Sequence, residues 1–421
     1  MKPFVILVVL AAYLGIILFN RKINPLIFVF VGIIILFFRN AITLETAIRS
    51  INLNVLGIFL GTMTLSALFI YSRVPEFLAV RFVDKARNVG SALLYICLLS
   101  GAISSFTENV ATVIIIAPIA FEVAKKLDTD PTPFLIGIAI SSNLQGSATM
   151  IGDSPSMILA MSHGMNFMDF FWMKGRPGIA FAVEIGAVAS FIVLYILFRK
   201  LRQPTKKIDS VSIKTWVPSF LIICMIISLA LASFVKDRPY YTVSYICIFF
   251  GIVGIIWFEL FERQRFSFIK YIDWRSFFFL IGIFILIGAL SHAGVITDIA
   301  DYISNLTKGD VLFSFIFIIG ISVLFSAFID NIPFITGMIP VVKIVAQNLV
   351  VNQELLLFGL LIGATLGGNL TPIGASANIV AMGMLRERGY KVDFKDFLKI
   401  GLPFTITAVI SASIFLWVVW R

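Results

Sequence analysis

Apolar runs long enough to cross a bilayer recur along this chain, and some are interrupted at matching points in two halves. The segment SSFTENVATVIIIAPI (Ser104 to Ile119) aligns without a gap on SAFIDNIPFITGMIPV (Ser326 to Val341), at an offset of 222 residues. Phe106 meets Phe328, Glu108 meets Asp330, Asn109 meets Asn331 and Pro118 meets Pro340. The same offset lays GSATMIGDSPSMILA (Gly146 to Ala160) over GNLTPIGASANIVAM (Gly368 to Met382). Gly146, Thr149, Ile151, Gly152 and Ser154 there meet Gly368, Thr371, Ile373, Gly374 and Ser376. One unit is therefore present twice, and each copy sets an acid beside an amide in apolar sequence.

Of the 421 residues 59% are hydrophobic and 13% charged, the balance of a polytopic membrane protein. A net charge of +10 does not point to nucleic acid, because the basic residues fall in short loops between apolar spans. Cys97, Cys224 and Cys247 all lie within apolar runs and read as inert core residues. The first run, PFVILVVLAAYLGIILF, reads as a spanning helix rather than a signal peptide. Another span follows it, and it has a counterpart near 215–234.

A helix needs roughly 20 apolar residues to span the hydrocarbon core. The first repeat, 1–200, has spans near 3–19, 24–39, 52–70 and 178–198, with a polar amphipathic link at 72–88. The stretch 89–125 is broken at Thr107-Glu108-Asn109 and reads as a re-entrant hairpin; 132–163 reads as a helix broken by Gly146, Gly152 and Pro155. A basic cytoplasmic linker covers 201–214. The second repeat, 215–421, has spans near 215–234, 241–260, 274–292 and 400–420, a hairpin at 311–348 and a broken helix at 354–385. The fold class is an all-α polytopic membrane protein of two inverted repeats, with about ten transmembrane helices, two hairpins and two broken helices. This topology puts 23 of the 33 lysines and arginines on one side, the cytoplasmic one, and both termini outside. The expected location is the plasma membrane.

Broken helices cannot face lipid, because their freed backbone groups need partners. Half-helix ends offer N–H groups to anions and carbonyls to cations. Glu108, Asp153 and Asp330 stand at the predicted breaks, and no arginine lies near them in sequence. A buried carboxylate costs several kcal/mol unless paired, solvated or protonated, so a cation or proton is the simplest partner. Capping of helix N-termini is the competing role for all three acids. Thr149, Ser154, Thr371 and Ser376 are balanced between ligand and structural roles. Lys343, His163 and His292 read as interfacial.

The motifs SAFIDNIPFITGMIPV, GATLGGNLTPIGASANIVAMGM, GSATMIGDSPSMI and IDWRSFFFLIGIFILIGAL resemble the ion transporter superfamily. The branch they are most similar to holds arsenite permeases, silicon effluxers and the melanosomal P protein; sodium/proton antiporters and divalent-anion symporters are related. The resemblance implies a homodimer whose transport domain moves as an elevator against a scaffold. It also implies ion sites at Thr107, Asn109, Thr149 and Gly152, and at Asn331, Thr371, Gly374 and Ser376. Sodium would lie at Asn109 and Gly152 and at Asn331 and Gly374. The match Ser376-Ala377-Asn378 is kept. The tips differ from the Ser-Asn-Thr of the dicarboxylate carriers, which turns the reading away from dicarboxylates.

The expected function is secondary active transport, proton- or sodium-coupled, of a small oxyacid or anion such as arsenite or silicate. A sodium/proton antiporter and a sodium-coupled citrate or dicarboxylate symporter stand as alternatives, and an ion channel as one of another class. No cofactor beyond the coupling ion is expected, and no nucleic-acid partner. Neither HExxH nor GxSxG occurs, so no enzyme is expected.

Overall fold

The structure, a computed structural model, describes residues 1–19, 23–204, 211–262, 269 and 272–421. Part of the basic linker, with Lys206 and Lys207, lies outside the described residues, as do Arg21, Lys22, Arg263, Arg265 and Lys270. Nineteen α-helices are found among the described residues. They begin with α1 (Lys2–Phe19), α2 (Pro25–Phe38), α3 (Leu44–Ser50), α4 (Leu53–Ser72) and α5 (Val74–Asp84). Next come α6 (Val89–Ser104), α7 (Asn109–Lys126), α8 (Thr132–Gly146), α9 (Ser154–His163) and α10 (Ile179–Phe198). A two-stranded ribbon, β1 (Trp172–Met173) with β2 (Arg176–Pro177), joins α9 to α10.

The remaining helices repeat this order. They are α11 (Val217–Ala232), α12 (Thr242–Trp257), α13 (Trp274–His292), α14 (Val295–Leu306) and α15 (Val311–Ser326). Then follow α16 (Asn331–Leu349), α17 (Gln353–Gly367), α18 (Ser376–Glu387) and α19 (Phe394–Trp420). Seven helices are long and apolar enough to cross a membrane, and five shorter apolar helices accompany them among the described residues. Leu7, Leu18, Phe38, Phe249 and Val418 are exposed on their outer faces, as a lipid-facing surface requires.

Packing follows the repeat. α6 lies on α8 as α15 lies on α17, and α10 packs along α19. α2 packs on α13, and the equivalent pair is α12 on α4. That second crossing is close because small residues face one another. The Gly61 Cα lies 3.3 Å from where a Gly251 Cβ would be, and the Ile248 N lies 2.8 Å from where a Gly61 Cβ would be. Small residues at a crossing let two membrane helices meet backbone to backbone. Buried residues of α1, α2 and one face of α13 form a smaller cluster, while Leu280 and Phe284 of α13 belong to the main core.

Two elements escape a reading by periodicity. α3 is only seven residues long, capped by Thr43, and β1–β2 is a tight ribbon between helices. Glu354 stands in the first turn of α17 and is 1% exposed.

The α4–α12 crossing generates a prediction. Gly61→Val forces a branched side chain into the Cys247–Ile248 backbone and costs about 1–3 kcal/mol. The melting temperature of the purified variant in detergent falls accordingly. Gly320→Ala, where no atom lies within 4 Å of the added Cβ, leaves it unchanged.

Candidate functional site

Helix α6 stops at Ser104 and α7 starts at Asn109, so the chain turns back on itself at Ser105–Glu108. The turn is closed from within. Ser104 Oγ donates to Asn109 Oδ1 at 2.5 Å, and Thr107 Oγ1 donates to the Ile103 carbonyl at 2.9 Å. Glu108 caps α7, accepting from Val110 N at 2.9 Å and Ala111 N at 3.2 Å. The α15–α16 turn is built alike. Ser326 Oγ donates to Asn331 Oδ1 at 2.5 Å, and Asp330 accepts from Ile332 N at 3.2 Å. Asp330 also does what Glu108 does not: its second oxygen accepts from Ser376 Oγ at 2.6 Å, tying the turn to the start of α18.

Each helix break docks on its turn through one threonine. Thr149 Oγ1 donates to the Ser105 carbonyl, and Thr371 Oγ1 to that of Ala327. The glycines of the breaks are wrapped in carbonyl oxygens. A Cβ on Gly152 would fall against the carbonyls of Gly146, Ser104 and Ser105, the last two at 2.8 and 2.9 Å. A Cβ on Gly374 would fall against those of Gly368, Ala327 and Ser326 at 2.6, 2.8 and 2.8 Å. Only glycine leaves these oxygens room to converge. Carbonyl oxygens at the C-terminal ends of half-helices suit a hard cation. Asn109 Oδ1 beside Gly146, and Asn331 Oδ1 beside Gly368, add a side-chain oxygen to each cluster.

The two acidic caps meet in one cavity of 630 Å³. Glu108, Asp330 and Ser376 line it, facing Asp273, Arg275 and Ser276 of the α13 N-terminus. Arg386, in the last turn of α18, completes the wall. The carboxylates of Glu108, Asp273 and Asp330 feel one another, and Arg275 attracts Asp330. Ser376 begins α18, whose N-terminus carries no side-chain cap. Positive helix end, arginines and hydroxyls therefore share a chamber with three acids. Such a set recognises carboxylate or phosphate groups and, at the acids, a cation.

Sequence spacing missed the charged wall. Asp273, Trp274 and Arg275 read along the chain as a basic flank of a span, and Arg386 as a loop residue. Folding turns both flanks over the cavity. No arginine neighbours the acids in sequence, but Arg275 and Arg386 line the same cavity in the fold.

Other singled-out residues lie elsewhere. Asp153 caps α9 through Ser156 N at 2.9 Å, is 3% exposed and does not line this cavity. Ser154 is buried in the first turn of the same helix. Asn378 belongs to a buried amide network. Its Nδ2 donates to the Gly368 and Thr371 carbonyls, both at 2.9 Å, and its Oδ1 accepts from Asn143 Nδ2 at 3.0 Å. Asn143 also donates to Asn369 Oδ1 at 2.8 Å. That network joins α8 to the second break. His163 is not a lone interfacial residue: its Nε2 lies 3.0 Å from Glu354 Oε1, which also accepts from Lys174 Nζ at 2.6 Å.

Solved structures with the same overall fold are membrane transporters. The fold matches the MtrF efflux pump of Neisseria gonorrhoeae with a TM-score of 0.57 at 13% identity, over 98% of this chain and 93% of that one. It matches the YdaH transporter of Alcanivorax borkumensis at 0.55 and 11% identity, over 87% and 84%. At these identities the likeness concerns the fold. Residues 6–363 match the family model CitMHS, described as a citrate transporter, and the chain belongs to that family of membrane transporters. Among its relatives is an uncharacterized transporter of Mycobacterium tuberculosis, 29% identical over 87% of this chain and 86% of the relative. An uncharacterized transporter of Synechocystis is 27% identical over 96% of both. The P protein of Sus scrofa is 26% identical over 89% of this chain and 54% of its own length.

The carbonyl clusters can be tested directly. Gly152→Ala and Gly374→Ala each push a methyl among three backbone oxygens and reduce transport at least about tenfold, with helicity and elution profile unchanged. Transport within twofold of wild type in both variants would remove the clusters from the mechanism.

Proposed function

We propose that this transporter is a cation-coupled carrier of small carboxylate anions of the citrate kind, and that Glu108 and Asp330 take the coupling proton or sodium ion. One observation carries the reading. A single cavity joins the two turn carboxylates to Arg275, Arg386 and the uncapped start of α18. With all three acids ionised, they would outnumber the two arginines of that cavity by one negative charge. An anion enters more readily once an acid is neutralised by a proton or a bound cation, which is the physical basis of coupling. The bond from Ser376 to Asp330 links that neutralisation to the helix end that faces the anion.

The sequence alone favours a neutral oxyacid, because no cation stands near the acids along the chain. Two arginines in the cavity remove that premise, and the family description supports a carboxylate. Arsenite, silicate and sodium/proton exchange become outcomes that the assay distinguishes. An elevator-like movement of the turn-bearing elements belongs to the proposal. In support, one face of α13 clusters with α1 and α2 across the cavity from α7 and α18, while its Leu280 and Phe284 pack into the main core. A homodimer built on the same helices completes it.

The test is uptake by purified protein in liposomes, under imposed proton and sodium gradients, with citrate, arsenite, silicate and sodium offered in turn. Citrate accumulates against its gradient under one of the two driving ions. Arg275→Gln and Arg386→Gln each raise its KM about tenfold, the size of one charge-assisted hydrogen bond. Citrate flux that ignores both gradients, or accumulation of arsenite without citrate, contradicts the reading.

A further inference from the structure

A second cavity, of 480 Å³, lies between α3, α9, α13 and α16. It touches α13 from Phe284 to His292, whereas the first cavity touches the same helix at Arg275, Ser276 and Phe279. The 19 residues of α13 rise about 28 Å in all. The two cavities therefore approach opposite ends of one spanning helix.

Their linings are related by the internal repeat. The offset of 222 residues carries Ser66, Ile70 and Ile114 of the first cavity onto Gly288, His292 and Thr336 of the second. It also relates Val380 of the first to Ile158 of the second. Equivalent faces of the two repeats thus build two chambers at opposite ends.

Their charges differ. The first holds three acids and two arginines; the second holds Lys343 and His292 and no carboxylate among its lining residues. Lys343 is half-buried and donates to the Ser162 carbonyl near the end of α9. An ammonium has three N–H donors, so this bond leaves two for a ligand. The Ser291 hydroxyl lines the same chamber.

We propose that the second cavity is the opposite mouth of the transport path and that Lys343 receives the substrate anion there. This rests on the carrier reading and deepens it. The anion meets a cation at each end: Arg275 and Arg386 at one, Lys343 at the other. The coupling acids stand at one mouth alone. Direction of transport is thereby tied to which chamber is open when the acids are neutral.

The experiment compares transport measured from each face of oriented vesicles, with citrate as the probe. Lys343→Gln raises KM about tenfold from the face of the second cavity and leaves KM from the other face unchanged; Lys343→Arg restores it. Arg386→Gln gives the reverse pattern. A KM altered equally from both faces, or from neither, overturns the assignment and leaves Lys343 as a cap on α9. The mouth itself is tested without any substrate. In a Cys224→Ser background, a membrane-impermeant maleimide labels Ser291→Cys from one face only and Ile114→Cys from the other. Labelling of both from the same face would show that the second cavity is no mouth, whatever the protein carries.

Discussion

A helix that ends within the apolar thickness of a membrane leaves donors and acceptors with no water to receive them. This chain ends helices between apolar segments at two turns and two breaks, and its centre is organised around covering the groups they free. Ser104 with Asn109, and Ser326 with Asn331, close the turns from inside. Thr149 and Thr371 bolt each break onto its turn through a carbonyl. Asp153, Glu108 and Asp330 take the N–H groups of the helices that restart. The carbonyls left over gather around Gly152 and Gly374. Structural necessity thus occupies the same atoms that the proposed ion sites would use. An acid that caps a helix at a cavity wall is also an acid that a proton or cation can neutralise.

The two halves share a plan and differ in detail. Asp330 bonds Ser376 across to the next helix, whereas Glu108 spends its bonds on its own helix. The cavity between them collects charge from α13 and α18, which belong to the second half of the chain. Asn143 of α8 reaches Asn369 and Asn378, so the two breaks are locked to one another by buried amides. These features place the turn-bearing helices in one packed unit facing α13.

Much of this is legible in the sequence because bilayer physics leaves few options. Glycines and prolines within apolar runs mark the breaks: α8 ends at Gly146 and α9 restarts beside Pro155, and α17 gives way before Pro372 and Gly374. The offset of 222 residues brings Glu108-Asn109 and Asp330-Asn331 to the same place in their units. What spacing cannot convey is which flank of a span turns inward. Arg275 and Arg386 look like ordinary basic loop residues until α13 and α18 are packed. Glu354 likewise finds His163 and Lys174 only through contacts 191 and 180 residues distant. Asn143, in the midst of an apolar helix, gives no sign of partners more than 220 residues away.

The central claim is that the two turn acids hold the coupling ion rather than the substrate. Its most direct test separates exchange from accumulation in the double variant Glu108→Gln, Asp330→Asn. Citrate inside and outside liposomes exchanges without net ion movement, whereas accumulation needs the gradient. The account predicts that the variant still exchanges labelled citrate while losing gradient-driven accumulation. Accumulation at the wild-type level, with the gradient still driving it, would contradict the account and leave both acids as helix caps.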